Sequence, residues 1–240
     1  MKIWKNSLAL VLALGMTVSF AACGGGKKEP AGEKLEGEGA WVAAWEATFS
    51  ATNMTVDIKI RSEESNMGGS GFTVQEGTVK LADGKVYVYG EMESEWDFGE
   101  DEQGKGSSTL EYYLGLKDGQ LYQWHYYKQG DEWQEFSSSK DVETYATGYG
   151  VISDVLGPEI GRYDYVAWES TATYDGGVYT MEISSGGIMR DYKVKFVDGK
   201  IYSIDILSSI SYDGGGSTDH LKYVFEYGNT SVGELPITKE

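Results

Sequence analysis

The chain has 240 residues, of which 40% are hydrophobic, 13% aromatic and 24% charged, a composition typical of a globular protein. Its formal net charge of −18 argues against nucleic acid as a partner, because phosphates require a positive surface. A single cysteine excludes a disulfide framework and a cysteine-based zinc module.

The chain begins with a positively charged segment and a short apolar run. Lys2 and Lys5 precede the run over residues 8–20, and small residues follow it, as in a secretory signal peptide. The run is shorter than the roughly 20 apolar residues that a membrane-spanning helix needs. The sequence Ala21-Ala22-Cys23 resembles bacterial lipoprotein signals, in which the cysteine receives lipid and becomes the first residue of the mature protein.

These features predict three segments: a lipoprotein signal peptide over 1–22, a lipid-anchored flexible tether over 23–36, and a single β domain over 37–240. The tether follows from a stretch of Gly, Lys, Glu and Pro with almost no apolar residues. We therefore expect an extracytoplasmic protein that is held to the cell membrane by lipid on Cys23. The alternative is an ordinary signal peptide cut near Ala22, which leaves Cys23 as a free thiol.

The first predicted element of the mature chain is a helix. Trp41, Ala44, Trp45, Thr48 and Phe49 recur at helical spacing between residues 38 and 50, so both tryptophans share one face. The spacing of apolar residues predicts a second helix over 141–156, which ends at Gly157-Pro158.

Most of the remaining chain alternates between apolar and polar residues, as β-strands do. Asp-Gly pairs, such as those at Asp83 and Asp198, separate many of the alternating runs and favour tight hairpins. Short connections make neighbouring strands antiparallel. We predict about eleven strands, near 53–61, 72–82, 85–93, 109–117, 120–128, 132–136, 164–174, 177–184, 188–197, 200–211 and 219–227.

The order of these elements resembles the LolA-like superfamily of bacterial lipoprotein carriers and their lipid-binding relatives of the LppX type. Three stretches carry the likeness, over 41–56, 168–179 and 223–228, the last followed by Leu235-Pro236. The resemblance implies a mainly β fold with two helices, in which a curved antiparallel sheet of about eleven strands forms an open half-barrel and the helices lie on its concave side. It also implies a hydrophobic ligand, commonly an acyl chain, between sheet and helices.

The residues themselves are compatible with such a cavity, because a curved sheet facing amphipathic helices encloses apolar volume. The predicted lining residues are Val56, Ile58, Leu114, Leu116, Val194, Phe196, Tyr223 and Phe225 on strands, with Trp41 and Trp45 opposite. The alternative is that these side chains pack a core without a ligand.

We thus predict a membrane-anchored lipoprotein that binds or carries a lipid or acyl chain without catalysis. The alternative function is a cell-envelope protein-interaction or sensor module that uses the same fold without a ligand.

Sequence motifs indicate no catalytic residues and no cofactor. His125 and His220 are the only histidines, and neither lies in a zincin motif. The chain has no G-x-S-x-G elbow, no Walker loop and no dinucleotide fingerprint. An enzyme would require a polar cleft that joins one of the histidines to carboxylates.

A row of acids alternates along one predicted strand, at Glu91, Glu93, Glu95 and Asp97. In a strand these four carboxylates share one face, and weak calcium binding is one interpretation. The favoured interpretation is a solvated edge strand whose charges oppose aggregation.

Two aromatic rows lie on strands as well. Tyr122, Trp124 and Tyr126 share one strand face, and Tyr87 with Tyr89 shares another. Exposed rows of this kind stack on sugar rings or peptide, whereas rows that face the helices belong to the core.

Overall fold

The computed structural model describes residues 29–97, 99, 103–117, 120–129, 132–140 and 165–233. The chain divides into two compact units, residues 1–30 and residues 31–240, and the second contains every element below. The predicted signal peptide, Cys23 and the helix predicted over 141–156 lie outside the described residues. Among the helices that the structure does describe, none is long and apolar enough to cross a membrane.

The described elements are two helices and a series of strands. Helix α1 (Ala40–Phe49) precedes β1 (Met54–Asn66), β2 (Gly69–Ala82), β3 (Lys85–Asp97), β4 (Gln103–Lys117), β5 (Gln120–Gln129) and β6 (Glu132–Lys140). Helix α2 (Tyr165–Thr171) precedes β7 (Thr173–Asp175), β8 (Val178–Ser185), β9 (Ile188–Val197), β10 (Lys200–Tyr212) and β11 (Gly215–Tyr227).

All described strands belong to one sheet, in the order β6-β5-β4-β3-β2-β1-β11-β10-β9-β8-β7. The prediction of a mainly β fold with one antiparallel sheet is confirmed. The sheet is not closed, and β6 and β7 are its two edge strands. Asp83 and Asp198 have φ angles of 53° and 52°, in agreement with the Asp-Gly hairpins that the sequence predicts. Pairing of β1 with β11 joins the first six strands to the last five.

The strand predicted over 164–174 is wrong for most of its length, because helix α2 occupies that segment. Trp168 of this helix is buried, with its ring centroid 5.5 Å from that of Trp45 and 4.8 Å from that of Tyr192. These contacts with residues far away in the sequence stabilise a short helix that local alternation does not predict.

One face of the sheet carries the core. Met54 and Val56 of β1 pair with Leu81 and Val79 of β2 and with Tyr227 and Phe225 of β11, so their side chains lie on one side. Helix α1 packs on this side through Trp41 and Trp45, and we call it the helix face. The opposite side is called the outer face.

A buried polar network fixes α1 to the sheet. The Thr48 hydroxyl donates to the Ala44 carbonyl and accepts from the Ile201 amide, both at 3.0 Å. The Tyr227 hydroxyl donates to the Ile201 carbonyl at 2.7 Å and lies 3.2 Å from Thr48 Oγ1. The β9–β10 ladder is irregular between Ile201 and Ser203. At this irregularity the Ile201 amide donates to the Thr48 side chain and not to a neighbouring strand. Burial raises the pKa of Tyr227 well above its usual value.

The residues before α1 also contact the sheet. The Glu33 amide donates to the Phe196 carbonyl at 2.9 Å, and the Leu35 amide donates to the Tyr179 hydroxyl at 2.8 Å. The Gly199 amide donates to Glu33 Oε1 at 2.6 Å. We call residues 32–35 the N-terminal strap. The last part of the tether predicted over 23–36 is therefore docked on the sheet, because its backbone finds hydrogen-bond partners there.

Candidate functional site

Most of the predicted lining residues form the packed core of the helix face. Ile58 is half-buried against the same core, and Leu116 lies on this face by its backbone register. The others are each at most 2% exposed: Trp41, Trp45, Val56, Leu114, Val194, Phe196, Tyr223 and Phe225. Their shared face agrees with their alternation in the sequence, and packing against one another is what the structure shows for them.

The helix end of this core is an array of aromatic rings. The ring centroid of Trp41 lies 4.9 Å from that of Phe196 and 5.1 Å from that of Tyr179, with interplanar angles of 68° and 74°. Edge-to-face pairs of this kind add about 0.5–1.5 kcal/mol beyond the area they bury. The array holds the first turn of α1 in a fixed position over β8 and β9.

A pocket of about 460 Å³ lies beside this array, between the strap, the first turn of α1, the end of α2 and the start of β7 and β8. We call it the N-terminal pocket. Its lining residues are Lys34, Leu35, Gly37, Ala40, Trp41, Glu169, Ala172, Thr173, Tyr174 and Tyr179. Its volume lies within the range of about 300–1,000 Å³ that is usual for small-molecule sites.

The N-terminal pocket combines an aromatic interior with a charged rim. Trp41 and Tyr179 are buried and Tyr174 is half-buried, with its ring centroid 4.9 Å from that of Tyr179. Burial raises the pKa of Tyr179, and its phenol oxygen accepts the hydrogen bond from the Leu35 amide. Lys34 and Glu169 are exposed and supply one positive and one negative charge to the rim.

Sequence reasoning identified Trp41 for this site and missed its other walls. Leu35 falls in the predicted tether, whereas Ala172 and Tyr174 fall in the predicted strand over 164–174. An apolar residue in an otherwise polar tether, such as Leu35, is the signal that indicates docking.

A second concave region of about 240 Å³ lies at the opposite end of the strands. We call it the far groove. Its lining residues are Ser62, Glu63, Glu64, Gly71, Phe72, Thr73, Ser94, Glu95, Trp96, Ser217 and Asp219. Trp96, Gly71 and Glu64 occupy neighbouring register positions on β3, β2 and β1, on the helix face beyond the core. Trp96 is 37% exposed.

The acidic row lies on the outer face of β3, as its alternation predicts. The edge-strand interpretation is wrong, because β3 pairs with both β2 and β4 in the interior of the sheet. Glu95 forms an ion pair with Lys105 at 2.8 Å, and Glu91 accepts a hydrogen bond from Tyr89. Within the described part of the chain, no group of three or more acidic, histidine or cysteine side chains is placed to hold a metal ion.

His220, the histidine whose side chain the structure describes, is not among the residues that line the two concave regions. His220 Nε2 is 3.0 Å from Asp205 Oδ1 on the outer face, between β11 and β10. His125 pairs with Tyr112 in the β4–β5 ladder, and its side chain is outside the described part of the structure.

The aromatic row at Tyr87 and Tyr89 lies on the outer face and does not belong to the core. The ring centroid of Tyr87 is 4.6 Å from that of Tyr113, and its hydroxyl donates to Glu111 Oε1 at 2.9 Å. Burial and the neighbouring Tyr113 and Tyr89 raise the pKa of Tyr87. Trp124 pairs with Tyr113 in the β4–β5 ladder and therefore lies on the same outer face, where it is 9% exposed.

Comparison with known proteins assigns no family to the chain. No protein-family model matches it, and no curated protein matches it. Among solved structures, the S-type phycobiliprotein lyase CPES from Guillardia theta is similar at 9% sequence identity and a TM-score of 0.21, over 72% of this chain and 88% of its own. A likeness of this size assigns neither fold nor function.

Proposed function

We propose that this protein is a membrane-anchored extracytoplasmic lipoprotein, similar to the LolA/LppX-like carriers, that binds a lipid or an acyl chain without catalysis. The N-terminal pocket is the proposed binding site. The observation that carries the proposal is this pocket of about 460 Å³, with the buried rings of Trp41 and Tyr179 at its interior.

The position of the pocket along the chain supports the proposal. Leu35, which lines the pocket, lies 12 residue steps (35 − 23) after the proposed lipidated Cys23. Twelve extended residues span about 40 Å at most. Lipid on Cys23 would therefore keep the pocket mouth within about 40 Å of the bilayer surface. A lipid exchanging between bilayer and pocket then has only a short distance to travel through water.

The chemistry of the walls favours an amphiphile. Leu35, Ala172 and Tyr174 are half-buried and offer apolar surface to an acyl chain, which gains free energy by leaving water. Lys34 at the rim can pair with a carboxylate or phosphate headgroup, and Glu169 can accept hydrogen bonds from hydroxyl or ammonium groups of the same headgroup. The rim therefore suits a polar head and the interior an apolar chain.

The test is native mass spectrometry of the mature lipoprotein released from detergent micelles, followed by organic extraction. Ala172→Phe fills the pocket, and Ala43→Phe places the same ring on the exposed side of α1 as a matched control. We expect a stoichiometric lipid adduct in wild type and in Ala43→Phe, and none in Ala172→Phe. An adduct of equal stoichiometry in Ala172→Phe would contradict the pocket assignment.

Lipidation is tested separately with Cys23→Ala. We expect this variant to lose metabolic labelling by palmitate and to leave the membrane fraction. Labelling that persists in Cys23→Ala would contradict the proposed anchor.

One observation favours the alternative function, a cell-envelope protein-interaction or sensor module. Half-buried Tyr87, Tyr89 and Tyr113 cluster on the outer face, and tyrosine is enriched in protein interfaces. A photo-crosslinking residue at Tyr89 in intact cells would capture an envelope protein under this alternative, and Ala172→Phe would not reduce the capture.

A further inference from the structure

The far groove is built around an indole that rests on bare backbone. A Cβ atom placed on Gly104 of β4 would lie 2.5 Å from Trp96 Cζ2, and one on Gly106 would lie 3.6 Å from Trp96 Cζ3. The indole of Trp96 therefore lies over these two glycines, and any side chain at Gly104 would displace it. The ring contacts the backbone of β4, and the residue as a whole is 37% exposed and lines the groove.

The floor beside the indole is also free of side chains. Gly71 lies between Trp96 and Glu64 in the register of β3, β2 and β1. Neighbouring strands are about 4.8 Å apart, so Trp96 and Glu64 are separated by about 10 Å across the glycine. This opening is wide enough for one six-membered ring lying on the strands.

The far wall of the groove is polar and can both donate and accept hydrogen bonds. Ser62, Ser217 and Thr73 carry hydroxyls, while Glu64 and Asp219 carry carboxylates that only accept. Lysine and arginine are absent from the described lining residues. The cations that contact the lining, Arg61 and Lys105, form ion pairs with Glu63 and Glu95 at 2.7 and 2.8 Å, so their charges are already balanced. A ligand with several hydroxyls and no negative charge matches this set.

We infer that the far groove binds an uncharged sugar ring. The C–H side of the ring packs on the exposed indole of Trp96, and its hydroxyls point across Gly71 towards Glu64 and Asp219. The indole of Trp96 already packs on Gly104 and Gly106 before a sugar binds. Binding therefore costs little conformational entropy of the Trp96 side chain.

This site is independent of the proposed lipid site. Residue 54 of β1 lies at the end of the sheet that bears α1, and residue 64 lies at the groove, ten residue steps or about 33 Å further along the strand. Failure of one proposal therefore leaves the other standing.

The experiment is saturation-transfer NMR on the full mature chain with the methyl glycosides of glucose, galactose, mannose and N-acetylglucosamine, and with choline as an organic cation. Trp96→Ala removes the indole, and Gly104→Val displaces it without removing it. Met92→Ala is the matched control, because Met92 lies on the same face of β3, is equally 37% exposed, and does not line the groove.

We expect saturation transfer to the ring C–H protons of at least one glycoside. Trp96→Ala and Gly104→Val should each weaken binding about tenfold, which corresponds to about 1.4 kcal/mol, and Met92→Ala should leave it unchanged. The inference is overturned if none of the four glycosides receives saturation, if the transfer is unchanged in Trp96→Ala, or if choline alone gives a Trp96-dependent signal.

Discussion

Replacing Thr48 by valine tests whether the hydrogen-bond network under α1 holds the helix to the sheet. Valine has nearly the same shape as threonine, so the change removes the hydroxyl and little else. The Ile201 amide then loses its acceptor at a position where the β9–β10 ladder is irregular and Thr48 is fully buried. A buried donor without a partner costs about 1–3 kcal/mol.

The size of the effect on melting follows from this cost. In a domain of 150–250 residues, 1 kcal/mol shifts Tm by about 2–4 °C, so a cost of about 2 kcal/mol lowers Tm by about 4–8 °C. Thr48→Ser is the control, because it keeps the hydroxyl and removes one methyl group, which costs about 0.8 kcal/mol.

Urea unfolding followed by tryptophan fluorescence measures the free energy of unfolding, since Trp41 and Trp45 are buried in the same helix. Hydrogen exchange at the Ile201 amide gives a second, local readout, which should accelerate in Thr48→Val and not in Thr48→Ser. Equal stability of the two variants, together with unchanged protection of the Ile201 amide, would refute the role assigned to the hydroxyl.

Two further changes test other parts of the structure. Gly32→Val would place a Cβ atom 1.8 Å from the Gly177 carbonyl oxygen, so we expect the strap to detach and trypsin to cut after Lys34 faster than in wild type or in the control Ala31→Val; equal cleavage rates would contradict the docked strap. Tyr227 has a pKa raised by burial, so the folded state keeps its proton while the unfolded state releases it above pH 10. Its contribution to stability is therefore complete below pH 10 and is lost as the pH rises further, by about 1.4 kcal/mol at pH 11. Tyr227→Phe should lose less stability than wild type between pH 9 and 11 in urea titrations, and parallel losses would argue against a buried phenol.

Local patterns in the sequence were sufficient for much of the fold. The spacing of Trp41, Trp45 and Phe49 predicted α1, and the alternation of Met54 and Val56 predicted a strand with one buried face. Both patterns follow from backbone geometry over a few consecutive residues. Side chains return to the same face about every 3.6 residues in a helix and every two residues in a strand, so burial of one face leaves a periodic pattern in the sequence. The packed face shared by Val194, Phe196, Tyr223 and Phe225 follows from the same local rule.

The candidate site was only partly predictable, because it depends on contacts between distant segments. The sequence singled out Trp41, but only the docking of the strap brings Leu35 beside Tyr179, 144 positions later in the chain. The far groove was missed altogether, since nothing local indicates that the indole of Trp96 rests on Gly104 and Gly106.

By itself the sequence determined the strand-rich class, the hairpins, the first helix and the face on which each apolar strand residue lies, because each of these reflects backbone geometry over a few neighbouring residues. Tertiary structure alone decided that β1 pairs with β11, that β3 is an interior strand, and that the segment around Trp168 is a helix. It also decided where concave volume remains. These features are set by which distant surfaces exclude water from one another, and that balance is reached only when the whole chain is packed.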